Sequence, residues 1–144
     1  MVKLNPPRWL APLLIVALIA GVVIGNRLLR PTDQPAQTLN CADLHAGCST
    51  RLGDLPVSVG IRGAIKPFVP FEVWLRTNSA DKIQASFTME GMDMGFNLYT
   101  LRRDAESTWR AQVTLPVCVS GQRDWIMTLD IDGRQLRVPF VSQL

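Results

Sequence analysis

The chain has 144 residues, of which 47% are hydrophobic, a length that suits one modest domain with an appendage and excludes a multidomain enzyme. Four of the 15 basic residues precede Pro31 and all 12 acidic residues follow it, so the rest of the chain is one unit negative. Nucleic-acid binding depends on a positive surface, and we therefore expect no DNA or RNA partner.

The first predicted element is an uncharged apolar segment at residues 9–26. As a helix it would rise about 27 Å, close to the thickness of the hydrocarbon core of a bilayer. Residues 1–30 are therefore predicted to form an N-terminal tail and a single transmembrane helix. A signal peptide cleaved after Gly25 is the alternative, although no clean A-x-A site follows the apolar run. The basic residues on the two sides of the segment are balanced and do not decide its orientation.

Three cysteines follow this segment, at Cys41, Cys48 and Cys118. The first two enclose a short stretch with turn residues, inside a predicted linker and Cys-bounded loop at residues 31–54. A Cys41–Cys48 disulfide is the favoured pairing. A bond from Cys118 to either of them, or no disulfide, remains open. A disulfide would place the domain outside the cytoplasm, so we expect a single-pass protein of the inner (cytoplasmic) membrane with a periplasmic C-terminal domain.

From Leu55 onward, hydrophobic residues alternate with polar ones, which indicates β-strands. About seven strands are predicted, at residues 55–61, 71–75, 83–89, 96–101, 109–115, 125–131 and 136–141. This pattern predicts that residues 55–144 form an all-β domain, an immunoglobulin-like antiparallel β-sandwich, with a small barrel as the alternative.

The Asp132-Gly133 pair predicts a type I′ hairpin turn between the last two strands. A two-residue loop would set opposite each other three hydrophobic pairs that share one face: Leu129 with Leu136, Met127 with Val138, and Trp125 with Phe140.

Methionines are concentrated in the sequence TMEGMDMG, residues 88–95, which contains three of the four methionines that follow the first residue. Thioether sulfur suits Cu(I), and glycines at 91 and 95 would let the backbone bend, so Met89, Met92 and Met94 are candidate metal ligands. His45 and Cys118 are further candidates. In the alternative interpretation Met89 continues the apolar face of its strand and is simply buried.

This motif, followed by an alternating stretch and then WRAQV at residues 109–113, resembles the YtkA-like domain family over about residues 55–140. The layout of one anchor and a small β-domain is similar to that of FixH-type proteins. The resemblance implies an extracytoplasmic or membrane-anchored protein with an immunoglobulin-like fold, associated with copper handling and haem-copper oxidase assembly. The family's methionines would correspond to Met89, Met92 and Met94, with Gly95 closing the turn. Glu90 and Gly91 stand where family members often have proline.

Two functional hypotheses follow. The first is a membrane-anchored, extracytoplasmic copper-binding or chaperone-type module that acts near an integral-membrane or respiratory-complex partner, with Cu(I) as its only cofactor. The alternative is a metal-free interaction module of a membrane protein complex. The sequence contains no nucleophile elbow, CxxC pair, P-loop or dinucleotide fingerprint, and we expect no enzymatic activity.

Overall fold

The computed structural model describes residues 10–28, 35–89, 91, 97–104, 106–117 and 121–143. The chain divides into two units, Met1–Asp33 and Gln34–Leu144. In the first unit, helix α1 covers Leu10–Leu28. Pro12 lies in its first turn, where backbone amides have no acceptor within the helix. Among the described residues, no helix is both long enough and apolar enough to cross a membrane.

The described part of the second unit contains ten strands: β1 Gln37–Thr38, β2 Cys48–Leu52, β3 Leu55–Arg62, β4 Phe71–Thr77, β5 Ile83–Met89, β6 Leu98–Thr100, β7 Arg102–Arg103, β8 Thr108–Val113, β9 Asp124–Ile131 and β10 Arg134–Val141. Sheet one has the order β1-β10-β9-β5-β6, and sheet two has the order β2-β3-β4-β8-β7. Neighbouring strands are antiparallel, except that β1 runs parallel to β10.

The hydrophobic core lies between the two sheets. Every second residue of β5 and of β9 is buried, as the period-two pattern predicts. Phe71 of sheet two meets Phe87 of sheet one edge to face, with ring centroids 6.2 Å apart, a geometry that aromatic pairs favour. Two separate sheets that share one core confirm the predicted all-β sandwich over the small barrel.

The seven predicted strands correspond to β3, β4, β5, β6, β8, β9 and β10, whereas the short strands β1, β2 and β7 were not predicted. β1 and β2 belong to the sheets, although the sequence predicts a linker and a Cys-bounded loop for residues 31–54. In β2 only Leu52 is buried, so the strand lacks the apolar alternation that marks a strand in sequence. Backbone pairing with β3, and not an apolar face of its own, holds β2 in the sheet.

The hairpin between β9 and β10 has the predicted turn and register. Asp132 and Gly133 have φ angles of 51° and 85°, and both positive values are required by a type I′ turn. The Asp132 carboxylate also accepts hydrogen bonds from the backbone amides of Asp81 and Lys82, at 2.8 to 3.2 Å. The three predicted cross-strand pairs are all present: Leu129 with Leu136, Met127 with Val138, and Trp125 with Phe140.

Replacing Gly133 with valine is expected to lower the free energy of unfolding by about 1 to 3 kcal/mol, because a β-branched residue is strained at positive φ. A Cβ atom at this position would meet no heavy atom within 4 Å, so the cost would come from the backbone and not from a clash. Gly133→Asn is the matched control, since asparagine tolerates this conformation and should retain nearly wild-type stability. Thermal melts of the three proteins measure the difference. Identical melting of Gly133→Val and wild type would contradict the turn assignment.

Candidate functional site

The disulfide loop, residues 41–48, is closed by the predicted bond between Cys41 and Cys48, whose Cα atoms lie 5.8 Å apart. The loop is attached to sheet two because the amide of Ile61 donates to the carbonyl of Leu44 at 2.9 Å. Leu44 itself is buried in the core. Cys118, the third candidate for pairing, lies outside the described residues.

Two glycines let the disulfide loop pack against the outer face of sheet two. The indole of Trp74 lies over Gly60 and Gly47, where an added Cβ would come within 2.4 and 2.7 Å of it. Any larger residue at these two positions would have to displace the indole. The guanidinium of Arg76 in turn lies 5.5 Å from the centre of the Trp74 ring, a cation–π contact. The sequence offered no sign of this requirement, because the two glycines meet only in the folded chain.

A groove of about 700 Å³, here called the edge groove, lies between the disulfide loop and strands β9 and β10. Its lining includes buried apolar side chains, among them Trp125 and Phe140. His45, one of the predicted metal candidates, lines this groove with an exposed side chain, and its backbone amide donates to the Asp43 carboxylate at 2.8 Å. The charged residues of the lining are Asp43, Asp124 and Arg137.

A second, smaller cavity of about 220 Å³, here called the Met89 cavity, lies where β5 ends. Met89 is only 3% exposed and pairs across the strands with Trp125. Trp125 lines both this cavity and the edge groove, and Gln143 does the same. His45 does not line the Met89 cavity, so these two candidate ligands lie on different cavities.

The remaining predicted ligands, Met92, Met94 and Cys118, lie outside the described residues. Within the described ranges, no three or more His, Cys, Asp or Glu side chains are grouped so that they could hold a metal ion. Methionine sulfur is not among those ligand types. The interpretation of Met89 as a packing residue agrees with its burial, and Met89 also lines the cavity.

Exposed apolar side chains lie near the Met89 cavity, and we call Phe68, Val69 and Val117 the apolar tip. Phe68 is 71% exposed and has a φ of 59°, a conformation that bulky residues rarely adopt. Its amide donates to the carbonyl of Leu115 at 3.0 Å, and Pro67 forms a bridge with Leu115, which holds the strained residue in place. Backbone strain of this kind is concentrated at functional sites.

A charged network, centred on Arg110, lies apart from both cavities. The Arg110 guanidinium contacts the carboxylates of Asp104 at 2.6 Å and Glu72 at 3.3 Å. A hydrogen bond from the amide of Thr108 holds the pKa of Asp104 below its ordinary value; partial desolvation opposes this effect, while Arg110 and the amide of Glu106 add to it. These residues line neither cavity, so the network fits a structural role.

Comparisons with protein-family models, with curated proteins and with solved structures found no match for the chain.

Proposed function

We propose that the chain is a membrane-anchored, extracytoplasmic module that binds Cu(I) through Met89, Met92 and Met94 and assists copper handling or the assembly of a haem-copper oxidase. The observation that carries this proposal is the position of Met89. It ends strand β5 on the wall of a cavity, and the sequence continues directly into two more methionines within five residues.

The chemistry of the ligands supports Cu(I) over other metals. Thioether sulfur is a soft, uncharged ligand that matches a soft monovalent cation and binds hard ions such as Mg²⁺ or Ca²⁺ poorly. Unlike a thiol, it does not form disulfides in the oxidising compartment proposed for this domain. Thioether ligation is also weak enough to permit transfer of the metal to an acceptor held nearby on the same membrane.

The strand order supports the immunoglobulin-like class within the sandwich architecture. The order β3-β4-β8-β7 in sheet two corresponds to strands A, B, E and D of an immunoglobulin domain. The order β5-β9-β10 in sheet one corresponds to strands C, F and G, with β6 next to C. In this interpretation Met89 ends strand C, and Met92 and Met94 follow it in the sequence.

Residues 9–26 support the proposed membrane anchor, because they contain no charged side chain and would span about 27 Å as a helix. A helix with exposed apolar side chains gains stability in a lipid environment. Within α1, five such side chains are 58% to 69% exposed: Ile15, Val16, Leu18, Ile19 and Val22. The disulfide supports an extracytoplasmic position for the rest of the chain.

The proposed topology predicts that a reporter fused after Leu144 is active only when the reporter folds outside the cytoplasm. Alkaline phosphatase, which needs disulfides, should be active, and a fluorescent protein that matures only in the cytoplasm should be dark. Deleting residues 9–26 is the control and should reverse both signals. Cytoplasmic fluorescence from the intact fusion would contradict the orientation. If the mature chain is found to begin at Asn26, the segment before it is a cleaved signal peptide and not an anchor.

The copper proposal predicts that Met92→Leu/Met94→Leu weakens Cu(I) binding by the full chain at least about tenfold, because it removes two sulfur ligands. Leucine roughly conserves volume, so a packing role at these positions would cost under about 1.5 kcal/mol each. The measurement is a Cu(I) titration in detergent under reducing conditions against a competing chelator, with thermal melts of each protein.

Met127→Leu is the matched control for this titration. Met127 is the fourth internal methionine, is fully buried in β9 and lies outside the motif, so its replacement should leave copper binding unchanged. Equal copper binding by wild type and the double variant would contradict the assigned ligands, and no binding by wild type would contradict the copper proposal.

A metal-free interaction module is the second candidate function, and the apolar tip favours it. Phe68, Val69 and Val117 expose 71%, 41% and 48% of their surface, and exposed apolar groups held in a fixed loop are typical of protein contact sites. Absence of copper binding in the titration, with an intact fold, would make this the better account.

A further inference from the structure

The outer edge of β10 has hydrogen-bonding groups that face away from the rest of sheet one. The amide of Leu39 donates to the carbonyl of Arg137 at 2.8 Å, so the backbone groups of Arg137 point toward β1. Backbone groups alternate in direction along a strand, and those of Pro139 and Val141 therefore point to the same side. The alternation continues at Gln143, whose amide donates to Ile65 at 2.8 Å.

Strand β1 covers only the first part of this edge, because it pairs with Leu136 and Arg137 and goes no further. Pro139 has no amide hydrogen and cannot continue the parallel ladder. The chain then leaves for sheet two, where Leu44 bonds to Ile61. Within the described ranges, the carbonyl of Pro139 and both backbone groups of Val141 have no hydrogen-bond partner.

The residues that carry these unpaired groups, Pro139 and Val141, both line the edge groove. Val141 is 57% exposed, so the strand is accessible here. The charged lining consists of two carboxylates, Asp43 and Asp124, and one guanidinium, Arg137. One oxygen of Asp43 already accepts the amide of His45, which leaves Asp124 as the carboxylate most open to a ligand.

We propose that the edge groove binds an extended peptide segment of a partner protein, which adds a strand to β10 and places a basic side chain near Asp124. Such a segment donates to the carbonyls of Pro139 and Val141 and accepts from the Val141 amide, so it satisfies all three groups at once. Its alternate side chains face the apolar lining around Trp125 and Phe140. This interaction needs no metal and is independent of the copper proposal.

The probe for the test is a synthetic peptide, the tightest binder selected from a phage-displayed library of random heptapeptides against the full chain in detergent. Val141→Pro removes the outward amide without breaking a bond to β9, and should weaken binding of this peptide about tenfold or more. Val141→Ala keeps the amide and should bind within about twofold of wild type. Asp124→Asn should weaken binding severalfold. Thermal melts establish that each variant is folded.

Backbone methylation of the peptide tests the same geometry without altering the protein. Methyl groups on the alternate nitrogens that face β10 should abolish binding, whereas methyl groups on the other nitrogens should be tolerated. Hydrogen exchange of the Val141 amide should be fast in the free chain and slow at least about tenfold when the peptide is bound.

Four results would overturn the proposal. They are the selection of no peptide, equal binding by Val141→Pro and Val141→Ala, and binding that tolerates methyl groups on either set of nitrogens. The fourth is a Val141 amide that is already protected in the free chain, which would mean that the chain itself or a second copy covers the edge. A dependence of that protection on protein concentration would identify the second copy.

Discussion

Replacing Trp125 with alanine is expected to lower the free energy of unfolding by about 3 to 5 kcal/mol. Trp125 is 1% exposed and pairs with Phe140 on one side and Met89 on the other. Trp125 lines both the edge groove and the Met89 cavity. Removal of its side chain would leave a void in the core.

Denaturant unfolding of wild type, Trp125→Ala and Trp125→Phe measures this loss. Phenylalanine fills much of the space and should restore most of the stability, which separates a packing effect from an effect of the indole nitrogen. A midpoint for Trp125→Ala within error of wild type would show that this residue does not belong to the core.

Removing the disulfide with Cys41→Ser/Cys48→Ser is expected to lower the free energy of unfolding by about 2.5 kcal/mol. The bond closes a loop with a sequence separation of 7 and restricts the unfolded chain accordingly. The loop carries Leu44 into the core, so its release would also weaken the contact between Leu44 and Ile61.

The reduced wild-type chain is the control for the double variant. Reductant should shift the unfolding midpoint of the wild type to that of the variant and leave the variant itself unchanged. Equal midpoints for oxidised wild type and the variant would mean that the bond does not stabilise the fold. A non-reduced digest with Cys41 or Cys48 linked to Cys118 would contradict the pairing.

The sequence was sufficient to predict the interior strands of the fold. In β9 and β10, hydrophobic alternation and the turn residues Asp132 and Gly133 agree, and together they determine one register. The same alternation located β5 from its first to its last residue. These strands are paired on both sides or closed by a turn, so local pattern and tertiary packing favour the same structure.

Of the four edge strands in the described part of the chain, three, β1, β2 and β7, could not be predicted because neighbouring strands stabilise them. β1, β2 and β7 contain two to five residues and bury little of their own sequence. Pro139 lies beyond the end of the β1 ladder, and β1 is distant from it in sequence. Glycine is needed at 47 and 60 because Trp74, also distant in sequence from Gly47, lies over both. A single sequence carries no local signal for contacts of this kind.

The copper site at Met89, Met92 and Met94 stays a prediction from the clustering of methionines in the sequence. The structure adds that Met89 is buried on a cavity beside Trp125. The sequence did not indicate that Phe68 is exposed at a positive φ angle, because bulky residues seldom adopt this conformation. It also gave no sign that His45 and Met89 line different cavities, since that depends on how the disulfide loop packs.

X-ray absorption at the copper K-edge of the Cu(I)-loaded chain tests whether methionine sulfur holds the metal, because it reports which elements surround the copper ion. The proposal predicts a first shell dominated by sulfur in wild type and in Met127→Leu, and a sulfur count that falls by two in Met92→Leu/Met94→Leu, which keeps only Met89. A shell of nitrogen and oxygen alone in the wild-type chain, or a sulfur count that the double substitution leaves unchanged, would contradict the claim that these methionines hold copper.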